Sequence, residues 1–218
     1  MKVWKLGFLF LPTFVLQVRA APLTVASYTM NNGGSGGYDY RDFTYLPCPA
    51  NNCKTDDAVL SGGTGKLTDG ISPLTNWDDE GTLTQWVGWA TFQRSNPHIV
   101  FSFANTVTIN SVTVWLDNTP TAGGVSLPSL ISIGSQNFSI TPDNLTSGPR
   151  GYTFSGLNLT GNSVDMQLFQ SNIWMMLGEV SFDEAPLSSV PEPACWGLLA
   201  GSASLALCAA KNRRNRTT

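Results

Sequence analysis

The chain has 218 residues, of which 42% are hydrophobic and only 12% charged, with a formal net charge of −3. That is enough apolar material for one core domain with appendages, and about half the charge of an average soluble domain, roughly 25%. The charge is unevenly placed. Residues 21–185 hold five Lys and Arg against fourteen Asp and Glu, a net of −9, which disfavours nucleic acid as a general electrostatic partner and suits cations and neutral sugars.

Residues 1–20 read as a secretory signal. Lys2 and Lys5 form the basic start, residues 6–18 the apolar run, and Val18-Arg19-Ala20 a small-residue exit. The alternative is an uncleaved anchor, for which the run is short. Residues 21–185 form the expected folded domain. Its first expected strand covers residues 23–30 and ends at Asn31-Asn32-Gly33-Gly34-Ser35-Gly36-Gly37, a composition that predicts a flexible loop. Tyr38, Tyr40, Phe43 and Tyr45 follow. Such an aromatic loop either stacks on a ligand or packs over one edge of the core.

Cys48 and Cys53 are the only cysteines outside the C-terminal apolar segment. In an exported protein this spacing predicts a local disulfide, with little effect on the unfolded chain because the loop is small. Zinc would need two further Cys or His ligands, and none lies nearby. Ser61-Gly-Gly-Thr-Gly-Lys66 fails as a phosphate loop, because Leu67 stands where Ser or Thr must hold magnesium.

The stretch from Lys66 to Trp89 reads as an irregular loop, too polar for a strand. It contains an Asp69-Gly70 turn, Ser72 and Thr75, the acidic run Asp78-Asp79-Glu80, and Trp77, Trp86 and Trp89. Carboxylate, hydroxyl and loop carbonyl oxygens are the hard ligands that calcium takes. The ordinary alternative is an Asp-Gly turn beside buried tryptophans.

From Pro97 onward the pattern becomes regular. Ile99, Phe101 and Phe103 alternate with Val100 and Ser102, and Val112 and Val114 with Thr113 and Trp115. Further short strands are expected at 130–133, 138–140, 152–154, 164–168 and 177–182, with turns between them. Many short strands, no useful helix and no internal repeat predict an all-β sandwich.

The C-terminal 30 residues carry three parts in order: Val190-Pro191-Glu192-Pro193, an apolar segment at 194–210, and a basic cluster with Lys211, Arg213, Arg214 and Arg216. The apolar segment sits at the lower limit of a membrane-spanning helix, and the basic end would remain cytoplasmic. This arrangement, residues 186–218, resembles the PEP-CTERM sorting signal of exopolysaccharide-producing Gram-negative bacteria. The resemblance implies recognition by an exosortase, cleavage near Pro191-Glu192-Pro193, a transient membrane anchor, and delivery to the cell envelope or extracellular matrix. A GPI signal ends on its hydrophobic tail and would not carry basic residues after it.

A second resemblance runs from about residue 67 to 182. Leu67-Thr-Asp-Gly70, Trp77 and Trp89, Pro97-His-Ile-Val-Phe-Ser-Phe103, Val112-Thr-Val-Trp115 and Trp174-Met-Met-Leu-Gly-Glu-Val-Ser-Phe182 follow the order of the discoidin-like, coagulation factor 5/8 type C family. That fold is shared with galactose-binding carbohydrate modules. The resemblance implies an eight-stranded jelly-roll β-sandwich, galactose-binding-domain-like. It also implies a structural calcium ion held by Asp69 and Thr75 on one side and Glu179 on the other, with oxygen from Leu67 or Ser72. Two features depart from the family pattern: Ile71 stands where a second Asp or Asn often occurs, and the gap from Asp69 to Trp77 is a residue longer.

The function expected is non-catalytic binding of a carbohydrate or exopolysaccharide, or association with a matrix. Sugar binding needs an aromatic platform with flanking polar groups on the loops at one end. Trp86, Phe92, Arg94, His98 and Asn118 are the candidates, although each also fits an ordinary core, rim or solvated role. Catalysis is disfavoured. His98 is the only histidine, no Gly-x-Ser-x-Gly or paired-histidine motif occurs, and Asp78-Asp79-Glu80 is an unremarkable place for a glycosidase pair. A purely structural envelope or biofilm component is the alternative to a glycan binder.

Overall fold

The alternation read at Ile99, Phe101 and Phe103 continues far beyond them. The computed structural model, which describes residues 20–79, 85–119, 123–141 and 148–184, runs a single strand from His98 to Asp117. In chain order the strands are β1 (Pro22–Leu23), β2 (Ser27–Asn31), β3 (Val59–Gly63), β4 (Val87–Ala90), β5 (His98–Asp117), β6 (Leu130–Ile133), β7 (Gln136–Ser139), β8 (Pro149–Phe169) and β9 (Trp174–Glu184). Two short 3-10 helices lie at Pro49–Lys54 and Lys66–Thr68.

All of these strand pairings are antiparallel. The long strands β5 and β8 pair along nearly their whole length, with register shifts between Ser102 and Val107 and between Ile109 and Ser111. Such bulges bend and twist a strand, which lets one strand serve two layers. The first part of β5 pairs with β2 from Ile99 to Ser102, and the end of β8 carries β6 and β7. The second part of β5 pairs with β9, which carries β1 and β4 on its other side. The sandwich core lies between the layers: Phe182 on β9 meets Phe101 at 5.0 Å and Phe103 at 5.4 Å between ring centroids.

Several expectations are corrected. The segment 66–89 is not all loop, because Val87–Ala90 pairs with β9 and is fully buried. A continuous buried strand lacks the polar alternation that would have marked it. The expected strand at 23–30 is interrupted between Leu23 and Ser27. The Gly-rich stretch after Asn31 is not a loose loop at its start: residues 32–35 are buried, with Asn32 tying Gly33 and Asp42 through its side-chain oxygen at 2.9 and 2.8 Å. Gly33 and Gly34 serve close approach. A Cβ on Gly33 would lie 2.3 Å from the Tyr40 carbonyl oxygen and 2.5 Å from that of Gly88.

The Cys48–Cys53 disulfide is formed. Among the described residues no helix is long and apolar enough to cross a membrane. The signal segment and the Pro191-Glu192-Pro193 tail with Arg213 and Arg214 lie outside the described residues.

Because Phe182 touches two rings of the opposite layer and is 1% exposed, truncating it leaves a cavity. Phe182→Ala is expected to cost about 3–5 kcal/mol in urea unfolding. Reducing the Cys48–Cys53 loop should cost clearly less. Equal losses would contradict this placement of the core.

Candidate functional site

Aromatic side chains gather where the loops meet at the open end of the sandwich. Tyr38 and Tyr40 come from the β2–β3 connection, Trp77 from the β3–β4 connection, Phe92 from the turn after β4, and Trp174 from the start of β9. With Gly123 and Met176 they line a cleft of about 280 Å³. Trp174 is the hub: its ring lies edge-on to Tyr38 at 5.8 Å, Tyr40 at 5.7 Å and Phe92 at 6.3 Å. Tyr40 also meets Trp77 at 6.0 Å. Trp174 is 7% exposed, whereas Tyr38 is 61% and Phe92 71% exposed. The cleft therefore has a buried floor and an open aromatic rim.

Hydrogen bonds fix the loops that carry these rings. The backbone of Tyr40 accepts from Gly88 at 2.9 Å, and the Gly88 carbonyl accepts from Gly34 at 2.9 Å. Asp117, fully buried at the end of β5, accepts the backbone N–H of Trp77 at 2.8 Å and that of Thr119 at 2.5 Å. Burial pushes the Asp117 carboxyl up, against these N–H donors that pull it down. Gly123 lies against the Trp77 ring, where a Cβ would stand 2.7 Å from Cη2. The indole N–H of Trp77 is buried with no hydrogen-bond partner among the described residues.

The expected sugar-binding residues separate. Phe92 lies on the rim. Trp86 does not face the cleft lumen: it is fully buried, and its Nε1 donates to the Thr75 carbonyl at 3.2 Å. Arg94 is committed to Asp57 through two bonds at 2.7 and 2.8 Å. His98 pairs with Asp165 at 3.1 Å, and the backbone N–H of Asn118 donates to the Gly148 carbonyl at 3.1 Å. Trp174, Tyr38, Tyr40 and Trp77 complete the cleft in their place. Four loops and the start of β9 supply it, so no local spacing marks it. The one local signal is the Tyr38-Asp-Tyr40 pair.

The expected calcium ligands were Asp69, Ser72, Thr75 and Glu179. Asp69 and Glu179 are neighbours. Glu179 is 4% exposed on β9, and its Oε2 is buried without a hydrogen-bond partner. Desolvation, then the Asp69 charge, raise its pKa to about 8, although N–H groups of Gly70 and Asp69 favour the charged form. Asp69 itself is held by the Ile71 N–H at 2.8 Å and is raised by desolvation. The loop is pressed onto β9: a Cβ on Gly178 would lie 2.0 Å from Cγ of Pro73.

Two juxtaposed carboxylates, one with an unpartnered buried oxygen, fit a hard cation, which would replace a shared proton. Among the described residues no group of three or more His, Cys, Asp or Glu surrounds a metal position. Remaining ligands would be hydroxyls, carbonyls or water. The Thr75 carbonyl already accepts from Trp86.

Glu179 binds its proton more tightly folded than unfolded. Its contribution is therefore fully present below the unfolded value near 4.5 and is lost as pH rises through about 8. In calcium-free buffer, stability should fall between pH 5 and pH 8, with a slope from this group of up to about 1.4 kcal/mol per pH unit. Glu179→Gln should flatten that fall in urea titrations at pH 5, 7 and 8. An unchanged pH profile would contradict the buried pair.

Among solved structures, SpGH29 aligns with 12% identity and a TM-score of 0.41, over 76% of this chain and 28% of that one. The family 32 carbohydrate-binding module of NanJ from C. perfringens, in complex with galactose, aligns with 9% identity and a TM-score of 0.35, over 55% and 82%. A fucolectin from striped bass (Morone saxatilis) serum gives 12% identity and 0.33, over 75% and 79%. The chain thus spans under a third of SpGH29 and about four fifths of the other two chains. No curated protein matches. Residues 24–184 match the model of the DS-like domain of discoidin domain-containing receptor 1/2, and the chain belongs to that family.

Proposed function

We propose that this protein is an exported, non-catalytic glycan-binding or matrix-associated protein whose ligand site is the aromatic cleft. The observation that carries this is the partly open arrangement of Tyr38, Tyr40, Trp77 and Phe92 around Trp174. The apolar faces of sugar rings stack on aromatic side chains, while the tyrosine hydroxyls supply the few polar contacts that orient a bound ring. A purely structural envelope component would not need an open rim. Phe92 at 71% exposure and Tyr38 at 61% expose apolar area without packing benefit.

Calcium is proposed as a structural ion between Asp69 and Glu179. It would supply the positive charge that lets both carboxylates ionise, and would tie the loop before Trp77 to β9. Ser72 and Thr75 are the nearby hydroxyl candidates on the same loop.

On a glycan array, the full chain should retain a defined subset of oligosaccharides. Phe92→Ala, which removes an exposed ring without opening the core, should weaken that binding by about 1–3 kcal/mol if the ring stacks on the ligand, by analogy with base stacking. Binding that survives both Phe92→Ala and Tyr38→Ala undiminished would place the site elsewhere; no retention at all would favour the structural reading.

The destination of the protein is proposed from the tail. Glu192 stands between two prolines, ahead of the apolar segment and the basic cluster, an order that suits a protease recognition segment followed by a stop-transfer signal, and an exosortase is the proposed processing partner. Terminal peptide mapping should show mature molecules lacking the segment beyond about Pro193, and Glu192→Ala should leave a membrane-bound, uncleaved form. An intact Arg213-Arg214 end on most mature molecules would instead show a permanent anchor.

A further inference from the structure

Resting on the glycan-binding reading, we infer that the aromatic cleft selects its sugar by charge, preferring an ammonium-bearing amino sugar to a neutral one and rejecting uronates. The inference comes from where the cations of the domain are. Between residues 20 and 184 the chain has five Lys and Arg and one His, and none falls in the segments outside the described residues. None lines the cleft.

Their positions leave no cation for an acidic sugar. Arg41 is paired with Asp39 and Asp56, and Arg94 with Asp57. Lys66 is 6% exposed and donates to the Arg41 carbonyl at 2.8 Å. His98 lies against Asp165, while Lys54 ends the 3-10 helix just after Cys53 and Arg150 is on β8. A carboxylate entering the cleft would lose water and meet no positive group, which is costly.

An ammonium group meets the opposite environment. The cleft presents the rings of Trp77, Trp174, Tyr38, Tyr40 and Phe92, whose faces attract cations. Exposed Asp78 follows Trp77 directly in the same turn. The field of Asp78 reaches the cleft, since it helps to raise the Tyr40 hydroxyl, after desolvation. Rings and carboxylate together favour a cation, and the −9 charge of residues 21–185 adds a background of the same sign.

The test uses the full chain at about 0.15 M salt, where the Debye length is about 8 Å and background attraction is screened. Retention is measured on beads carrying matched sugars: galactosamine, N-acetylgalactosamine and galacturonate, and the corresponding glucose-derived trio. The expected order in at least one trio is amine over N-acetyl by about threefold to tenfold, with the uronate weakest. Asp78→Asn should shrink the amine preference while N-acetyl retention persists. Phe92→Ala, which leaves the charge unchanged, should reduce amine retention too, separating the cleft from non-specific attraction to an acidic protein. Uronate retention equal to or above the neutral sugar would overturn the charge inference and leave glycan binding standing. Amine retention unaffected by both variants would also overturn it. Retention on no sugar of either trio would overturn the inference together with the reading it rests on.

Discussion

A buried carboxylate must find donors, and in this protein hydroxyls and the backbone N–H groups of connecting segments supply them. Asp42 is fully buried. It accepts from the Tyr28 hydroxyl, the Thr44 hydroxyl at 3.2 Å and the Lys66 N–H at 3.1 Å. Asp117 does the same for Trp77 and Thr119. An unsatisfied buried acid costs several kcal/mol, so each loop is held in the conformation that satisfies its acid. The aromatic rings carried by those loops inherit that order. Preorganised rings bind with less loss of conformational freedom.

The loop from Asp69 to Trp77 shows how this reaches the cleft. It is fastened at Asp69 beside Glu179, at Pro73 against Gly178, at the Thr75 carbonyl by Trp86, and at the Trp77 N–H by Asp117. Four fastenings within nine residues leave the loop little freedom although it is almost without regular structure. The Asp69–Glu179 pair is the weak member, because both groups cannot ionise there without a compensating positive charge. A cation at that point would act on the cleft indirectly, through the position of Trp77.

Much of this was legible in the sequence, and the limits have physical causes. The alternation at Ile99, Phe101 and Phe103 identified a half-buried strand, and Trp174 to Phe182 identified the last one. The continuity of β5 and β8 was not visible, because bulges at Ser102–Val107 and Ile109–Ser111 interrupt the period that a sequence reading follows. The Cys48–Cys53 disulfide was legible from spacing taken together with the expectation of export. Asp69 and Glu179 came together only through the family resemblance, since 110 positions separate them. The cleft was half seen. Phe92 was expected at a ligand site and Tyr38 and Tyr40 as an aromatic loop, but Trp174 was read only as strand. Trp86 and Trp174 are equivalent as residue types. Only the fold decides that the first is sealed under Thr75 and the second floors the cleft.

The central claim is that the five rings of the cleft, Trp174 and the four gathered around it, are the surface that meets a ligand. Indole N–H signals of the tryptophans, followed by nuclear magnetic resonance while a retained oligosaccharide is added, test it directly. Trp77, whose N–H has no protein partner among the described residues, should shift most, with Trp174 following. Trp89, whose Nε1 donates to the Asn31 carbonyl at 2.9 Å, should stay in place. Saturable shifts at Trp89 or Trp115 with Trp77 and Trp174 unmoved would show that the ligand binds elsewhere on the domain.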